Sequence, residues 1–88
     1  MDPAVWPFRD MLWAHLVSDV SYEELHAFAV LLEVPRRAFQ GDHYDVPASV
    51  RLRALELGAE PVPARELLRR LKAAGLRRHR VRSATPAP

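Results

Sequence analysis

The stretch LWAHLVSDVSYEELHAFAVLL, residues 12–32, places a short apolar run directly before a capped amphipathic segment. The run from Leu12 to Val17 lacks helical spacing and is followed by Ser18 and Asp19. A run of that length next to turn residues favours a β-strand that is buried on both faces, as in a parallel sheet.

Helix signals follow this run. The Ser21 hydroxyl can accept a hydrogen bond from the backbone N–H of Glu24, and the Glu24 side chain can reach back to the backbone N–H of Ser21. This capping box predicts a helix from about Tyr22 to about Leu32, before Pro35. The apolar residues of the segment recur with helical spacing, at Leu25, Phe28, Ala29 and Leu32.

Proline and glycine delimit the remaining elements. Two more helices are predicted, one from Pro47 to about Leu57 before Gly58 and one from Pro63 to Gly75. Short strands are predicted at residues 36–39 and 59–62. The alternating order of strands and helices predicts an α/β fold, with a small mostly parallel sheet of about three strands and about three helices.

The composition indicates one small domain. The chain has 88 residues, of which 49% are hydrophobic, and this is enough for a single modest core that a homodimer would reinforce. It has no cysteine, no long apolar run and no signal-peptide pattern, so we expect a cytoplasmic protein without a membrane span. We assign residues 1–75 to the domain and residues 76–88 to a basic tail that is predicted to be disordered.

The net charge of +2 is unevenly distributed. Residues 1–64 contain five arginines and ten acidic residues, whereas residues 65–88 contain eight basic residues and only Glu66 as an acid. The basic end can contact nucleic acid or another polyanion. The favoured interpretation is a solvated helix face followed by a soluble tail, because the segment contains no aromatic residue or recognition motif.

A candidate site follows from the predicted parallel sheet. Ligands bind beyond the carboxyl ends of parallel strands, where this chain would place His15, Asp19, His26, His43 and Asp45. Histidine and carboxylate side chains bind divalent metals such as zinc or manganese, and they also serve in acid–base catalysis. The alternative is structural: a strand histidine is commonly a core residue, and Asp45 precedes a helix whose dipole it could complement.

Several motifs also resemble a family of small bacterial and phage proteins, the domain of unknown function 4031. They are W-P-F-R-x-x-L-W-A-H-L-V-S-D, E-L-H-A-F-A, F-x-G-D-H-Y-D-V, R-A-L-x-L-G-A and R-E-L-L-R-R-L, over about residues 3 to 75. The resemblance implies a small α/β domain but no established activity. It draws attention to the residues at the family's polar positions, which are Trp13, His15, Asp19, His26, His43, Tyr44 and Asp45.

The start of the chain departs from the family pattern. Members of the family typically begin with a strand of the type M-T-V-Y-V-D that leads into the W-P motif, whereas this sequence begins with Met1, Asp2 and Pro3. Asp2 matches the aspartate that closes the family's strand. A sheet without that strand would have an uncovered edge.

Two functional hypotheses remain open. The first is a metal-dependent hydrolase of a phosphodiester or related phosphorylated substrate. Its catalytic residues would be His15, His26, His43 and Asp45. The metal ligands would be His15, Asp19 and His43, with Asp45 as an alternative carboxylate. The substrate would be bound by Arg37, Arg51 and Tyr44, with Arg36 as a further candidate. The second is a non-catalytic binding module whose basic C-terminal segment contacts nucleic acid or a partner protein.

Overall fold

The computed structural model describes residues 1–78, which form strands, helices and one 3-10 turn. In chain order these are strand β1 (Trp6–Phe8), strand β2 (Met11–Leu16), helix α1 (Tyr22–Leu31), a 3-10 turn (Arg36–Ala38), strand β3 (Tyr44–Pro47), helix α2 (Ala48–Glu56) and helix α3 (Ala64–Ala73). The α/β class and the number of strands and helices are therefore as predicted. Within residues 1–78, no helix has the length and apolar character needed to cross a bilayer.

The prediction of a mostly parallel sheet is wrong. The strands lie in the order β1-β2-β3, and β2 is antiparallel to both neighbours. Arg9 and Asp10 reverse the chain between β1 and β2, each with a positive φ angle, as in the two-residue turns that suit hairpins. Apolar periodicity identifies a strand but carries no information about its direction, so the sequence pattern could not exclude this arrangement.

Two of the predicted strands are also misplaced. Residues 36–39 form the 3-10 turn and one isolated bridge, from Phe39 to Tyr44, and residues 59–62 belong to no strand. The sheet uses instead Trp6–Phe8 and Tyr44–Pro47, two short segments that carry prolines and polar residues. Both are edge strands, where proline is tolerated because one side of the backbone needs no hydrogen-bonded neighbour.

The three helices lie close to their predicted positions. Ser21 caps α1 as expected, because its hydroxyl accepts a hydrogen bond of 3.0 Å from the Glu24 N–H. The return half of the capping box is replaced, since the Glu24 carboxylate accepts from the Ser18 hydroxyl. Ser18 Oγ in turn accepts from the Ser21 N–H at 3.1 Å. The buried Ser18 therefore links the end of β2 to the start of α1.

The core lies on one face of the sheet. Four alternate strand residues are almost fully buried, namely Ala14, Leu16, Tyr44 and Val46. They pack with Leu25, Ala29 and Leu32 of the α1 region and with Ala54 of α2. The prediction that β2 is buried on both faces is wrong, because the alternate residues Trp13 and His15 are only half-buried. An antiparallel sheet can keep one such face accessible.

The first residues after α3 contact the domain. The backbone carbonyl of Leu76 accepts from the Tyr22 hydroxyl, and the Arg78 guanidinium lies 4.8 Å from the centre of the Tyr22 ring. The predicted tail begins at residue 76, so its first three residues pack onto the body. The rest of the predicted tail, residues 79–88, lies outside the described residues.

All three helices end with the same pair of backbone hydrogen bonds. At the end of α1 the N–H of Val34 donates to Ala29 O and that of Glu33 donates to Val30 O, the pattern of a Schellman motif. This motif requires a left-handed residue after the cap. Helices α2 and α3 place Gly58 and Gly75 there, but α1 places Glu33, with a φ angle of 61°.

We therefore expect Glu33→Gly to stabilise the protein. A left-handed conformation costs a residue with a side chain about 1 kcal/mol or more, and glycine avoids this cost. A gain of about 1 kcal/mol in the free energy of unfolding would raise the melting temperature of a domain of this size by roughly 4–8 °C. Glu33→Ala is the matched control, because it removes the same charge without relieving the backbone. Equal effects of the two substitutions in urea unfolding would contradict the prediction.

Candidate functional site

The candidate site lies on the sheet face opposite the core. His15 of β2 and Asp45 of β3 are direct cross-strand partners, and their neighbours Ala14 and Val46 point into the core. Successive strand residues point to opposite faces, so His15 and Asp45 share the other face. His43, two residues before Asp45, completes the group, and the centre of its ring lies 5.1 Å from that of the His15 ring.

A buried carboxylate holds the His15 ring. Asp2 is 4% exposed, and its Oδ2 accepts a hydrogen bond of 2.7 Å from His15 Nδ1. Its Oδ1 accepts from the His15 backbone N–H at 2.6 Å. Since an ionised carboxylate can only accept, Nδ1 carries the proton, and in the neutral imidazole the lone pair is left on Nε2. Asp2 therefore sets both the orientation and the tautomer of His15.

A second buried carboxylate holds the His43 ring in the same way. Asp42 is 3% exposed, and its Oδ1 accepts from His43 Nδ1 at 2.8 Å. Its Oδ2 accepts from the Arg78 N–H at 2.9 Å and lies 3.5 Å from a guanidinium nitrogen of Arg77. The neutral form of His43 accordingly also presents Nε2 as its free nitrogen.

The two Nε2 atoms converge on one carboxylate oxygen. Asp45 Oδ1 lies 3.1 Å from His43 Nε2 and 3.8 Å from His15 Nε2. This oxygen is buried, yet it accepts no properly oriented hydrogen bond from any of residues 1–78. A buried acceptor without a donor is unfavourable, so its position between two imidazole nitrogens suggests that a cation belongs there.

The spacing of these atoms suits a divalent metal. Ligands at about 2.1 Å from an ion lie roughly 3.0 Å apart in octahedral and roughly 3.4 Å apart in tetrahedral coordination. His15, His43 and Asp45 each offer one ligand atom within 4.8 Å of the others. Within residues 1–78, they are the group of potential ligands that meets this condition. Two histidines and one carboxylate can bind zinc, and they also form the facial triad of iron(II) sites.

The supporting hydrogen bonds shift the pKa values of the groups that make them. The hydrogen bond to Asp2 raises the pKa of His15 above 6.5, against the opposite effect of burial. Burial alone would raise the pKa of the Asp2 carboxyl, but its hydrogen bonds with His15 outweigh burial and lower it. Burial would likewise raise the pKa of Asp42, but hydrogen bonds from His43 and Arg78 outweigh burial and lower it. Both supporting carboxylates therefore remain ionised near neutral pH.

Two tryptophans extend the same face away from the histidines. The Trp6 ring is stacked on His15, with centroids 5.6 Å apart, and on Trp13, with centroids 6.0 Å apart. Phe8 meets the Trp13 ring edge to face at 6.4 Å. We call Trp6, Phe8 and Trp13 the aromatic patch. It adjoins His15 on the side of β1.

Asp19, predicted as a metal ligand, is not a member of the metal-binding group. It lines a cavity of about 480 Å³ together with apolar residues such as Leu25 and Phe28, and the lining includes none of the three grouped residues. Asp19 follows the carboxyl end of β2. Only in a parallel sheet would this end lie beside the carboxyl ends of the other strands. In the antiparallel sheet, Asp45 is the nearby carboxylate.

His26 and Tyr44 lie on the core side of the sheet. Tyr44 is 1% exposed, its hydroxyl is hydrogen bonded to His26 Nδ1 at 2.8 Å, and both rings contact Phe39. Strand alternation separates them from Asp45. The structure thus does not bring the predicted catalytic His26 to the histidine pair, and it encloses the predicted substrate-binding Tyr44.

The predicted substrate-binding arginines occupy different places. Arg51 Nε donates to the backbone carbonyl of Asp2 at 2.9 Å, so its guanidinium lies beside the residue that holds His15. Arg36 and Arg37 lie in the exposed 3-10 turn. The sequence did not indicate that Asp42, Arg77 and Trp6 belong to the site. The position of Asp42 next to His43 could have indicated its role, whereas nothing in the sequence distinguishes Arg77 from the other arginines.

The fold and the site define a small α/β protein with two carboxylate-supported histidines and an aspartate on the open face of an antiparallel sheet. A family model described as protein of unknown function (DUF4031) matches residues 1–74, and the chain belongs to this family. No curated protein and no solved structure matches the chain.

We expect Asp2→Asn to lower the pKa of His15, because the neutral amide cannot stabilise the imidazolium. The measurement is an NMR titration of the imidazole protons of the metal-free protein in a chelating buffer. His26 is the internal control, since it has no contact with Asp2, and its pKa should stay unchanged.

The same pair predicts a pH window of stability. The raised pKa of His15 adds stability that is lost as pH rises through its folded value, and the lowered pKa of Asp2 adds stability that is lost as pH falls through its folded value. The difference in unfolding free energy between the wild type and Asp2→Asn should therefore be largest between the two folded pKa values. An unchanged His15 pKa in the variant would contradict both expectations.

Proposed function

We propose that this protein is a metal-dependent hydrolase of a phosphodiester or related phosphorylated substrate, with the ion held by His15, His43 and Asp45. The proposal depends on the convergence of two Nε2 atoms on a buried carboxylate oxygen that has no hydrogen-bond donor. Asp2 and Asp42 support it, because metal-bound histidines usually donate their other ring N–H to a carboxylate or carbonyl.

The arrangement leaves room for chemistry at the ion. Three protein ligands are characteristic of catalytic zinc sites, in which the remaining position takes water or substrate. An ion in such a site lowers the pKa of its water to about 7, which supplies hydroxide at neutral pH. The half-buried ligands lie on an accessible sheet face, so a substrate can reach this position.

The charges around the site favour an anionic substrate once an ion is bound. Asp2, Asp42 and Asp45 supply three negative charges, and Arg51 and Arg77 supply two positive charges beside the supporting carboxylates. With neutral imidazoles the net charge of these groups is −1, and a bound divalent cation changes it to +1. A phosphodiester would then meet a positive site, in which the ion can also stabilise the charge that develops on the phosphoryl oxygens.

Metal binding is the first test. Titration calorimetry with zinc and with manganese should show near-stoichiometric binding to the wild type and its loss in a His15→Ala/His43→Ala double variant. The matched control is His26→Ala, which removes a histidine outside the group and should leave metal binding intact. Thermal unfolding of each variant checks that it remains folded. No binding of zinc, manganese or iron(II) to the wild type would eliminate the metal site.

Hydrolysis is the second test. The wild type loaded with its preferred ion should release nitrophenolate from bis(p-nitrophenyl) phosphate, and a chelator should abolish the reaction. Asp45→Asn should reduce the rate by roughly a hundredfold or more, because it replaces a charged ligand with a neutral one. Metal binding without any hydrolysis of phosphodiesters or phosphomonoesters would leave a metal site but remove this enzymatic function.

A further inference from the structure

We propose that the substrate is single-stranded nucleic acid, with unpaired bases stacking on the aromatic patch and a phosphodiester reaching the ion at Asp45. This inference depends on the proposed function for its cleavage step, but the binding it describes can be tested separately. Two independent features of the structure support it. They are the aromatic patch and the path of the chain after α3.

The rings of the aromatic patch have no evident role in the core. The buried cluster and the residues that pack against it, within residues 1–78, include neither Trp6 nor Phe8 nor Trp13. Phe8 is 53% exposed, on the open face of the sheet. A contiguous patch of exposed aromatic rings commonly marks an interaction site, and unpaired bases of any sequence can stack on such rings.

The patch is continuous with the proposed metal ligands. The Trp6 ring stacks both on Trp13 and on the proposed ligand His15. The row of rings therefore leads from the exposed Phe8 to the ion. The Trp6 indole N–H is buried and has no acceptor among the described residues.

Arginines lie at both ends of this path. The Arg9 guanidinium lies 5.3 Å from the centre of the Phe8 ring, at the outer end of the patch. At the inner end, Arg77 and the Arg78 backbone contact Asp42, which holds His43. Arg77 and Arg78 therefore bring two residues of the basic C-terminal end to the site. Arginines in this arrangement can contact the phosphates that flank stacked bases.

The path favours single strands over duplexes. Bases can stack on protein rings only when they are unpaired, whereas a duplex presents its sugar-phosphate backbone to such a surface. A second copy of this chain, covering the patch as a dimer, is the competing occupant. With an ion bound, both ends of the patch carry a net positive charge, and this favours a polyanion over a second identical copy.

The test is binding of a fluorescent oligothymidylate in the presence of a chelator, so that no cleavage occurs. The wild type should bind it with quenching of tryptophan fluorescence. Phe8→Ala and Trp13→Ala should each weaken binding by roughly 5- to 150-fold, which corresponds to the loss of one base–aromatic stack. Leu12→Ala is the matched control, because Leu12 is 48% exposed in the same hairpin but points to the opposite face. Phe8→Trp keeps a ring and should bind like the wild type.

Competitors identify what the surface recognises. Unlabelled oligothymidylate should displace the probe at much lower concentration than polyphosphate or duplex DNA of equal phosphate content. If polyphosphate competes equally and the Phe8→Ala variant binds like the wild type, binding is purely electrostatic and the inference is overturned. A wild-type dimer in sedimentation that Phe8→Ala or Trp13→Ala dissociates would assign the patch to self-association and would also overturn it.

Failures of the two proposals are distinguishable. A wild type that binds metal and hydrolyses bis(p-nitrophenyl) phosphate but does not bind oligothymidylate would overturn the inference and leave the proposed function in place. A wild type that binds oligothymidylate through the patch but binds no metal would overturn the proposed function. In that case the protein would be a nucleic-acid-binding module.

Discussion

The antiparallel pairing of β2 with β3 is the constraint on which both the core and the candidate site depend. Its register places His15 opposite Asp45 and Ala14 opposite Val46. Because side chains alternate along a strand, a slip of one residue would exchange the two faces and bury the charged groups in place of the apolar ones. The helices that cover Val46 therefore also fix His15 and Asp45 together on the accessible face.

Two buried aspartates make the site rigid. A buried carboxylate is tolerated when its oxygens are satisfied, and Asp2 and Asp42 each bind an imidazole with one oxygen and a backbone N–H with the other. Their backbone partners belong to distant parts of the chain, β2 in one case and the segment after α3 in the other. The orientation of each histidine thus depends on how two separate segments close the fold.

The sequence predicted the helices well and the sheet poorly, for a physical reason. Ser21, Gly58 and Gly75 mark helix ends through contacts within a few residues, so a local pattern is sufficient. Strand direction depends on distant partners, and the two edge strands are too short and too rich in proline to show an apolar pattern. His15, His43 and Asp45 were selected for their chemistry, but the expected meeting at parallel strand ends was wrong. They meet by cross-strand pairing, which excludes Asp19 and His26.

Asp45 illustrates how a site can be recognised by its cost to stability. A buried oxygen without a hydrogen-bond donor costs about 1–3 kcal/mol, a large part of the net stability of a small domain. Packing alone would favour a β-branched residue at this strand position, as at its neighbour Val46. Residues that violate packing preferences are commonly found at functional sites, and Asp45 lies beside two oriented imidazoles. The unsatisfied oxygen is therefore stronger evidence for a ligand than the histidines, since buried carboxylates already explain how the rings are held.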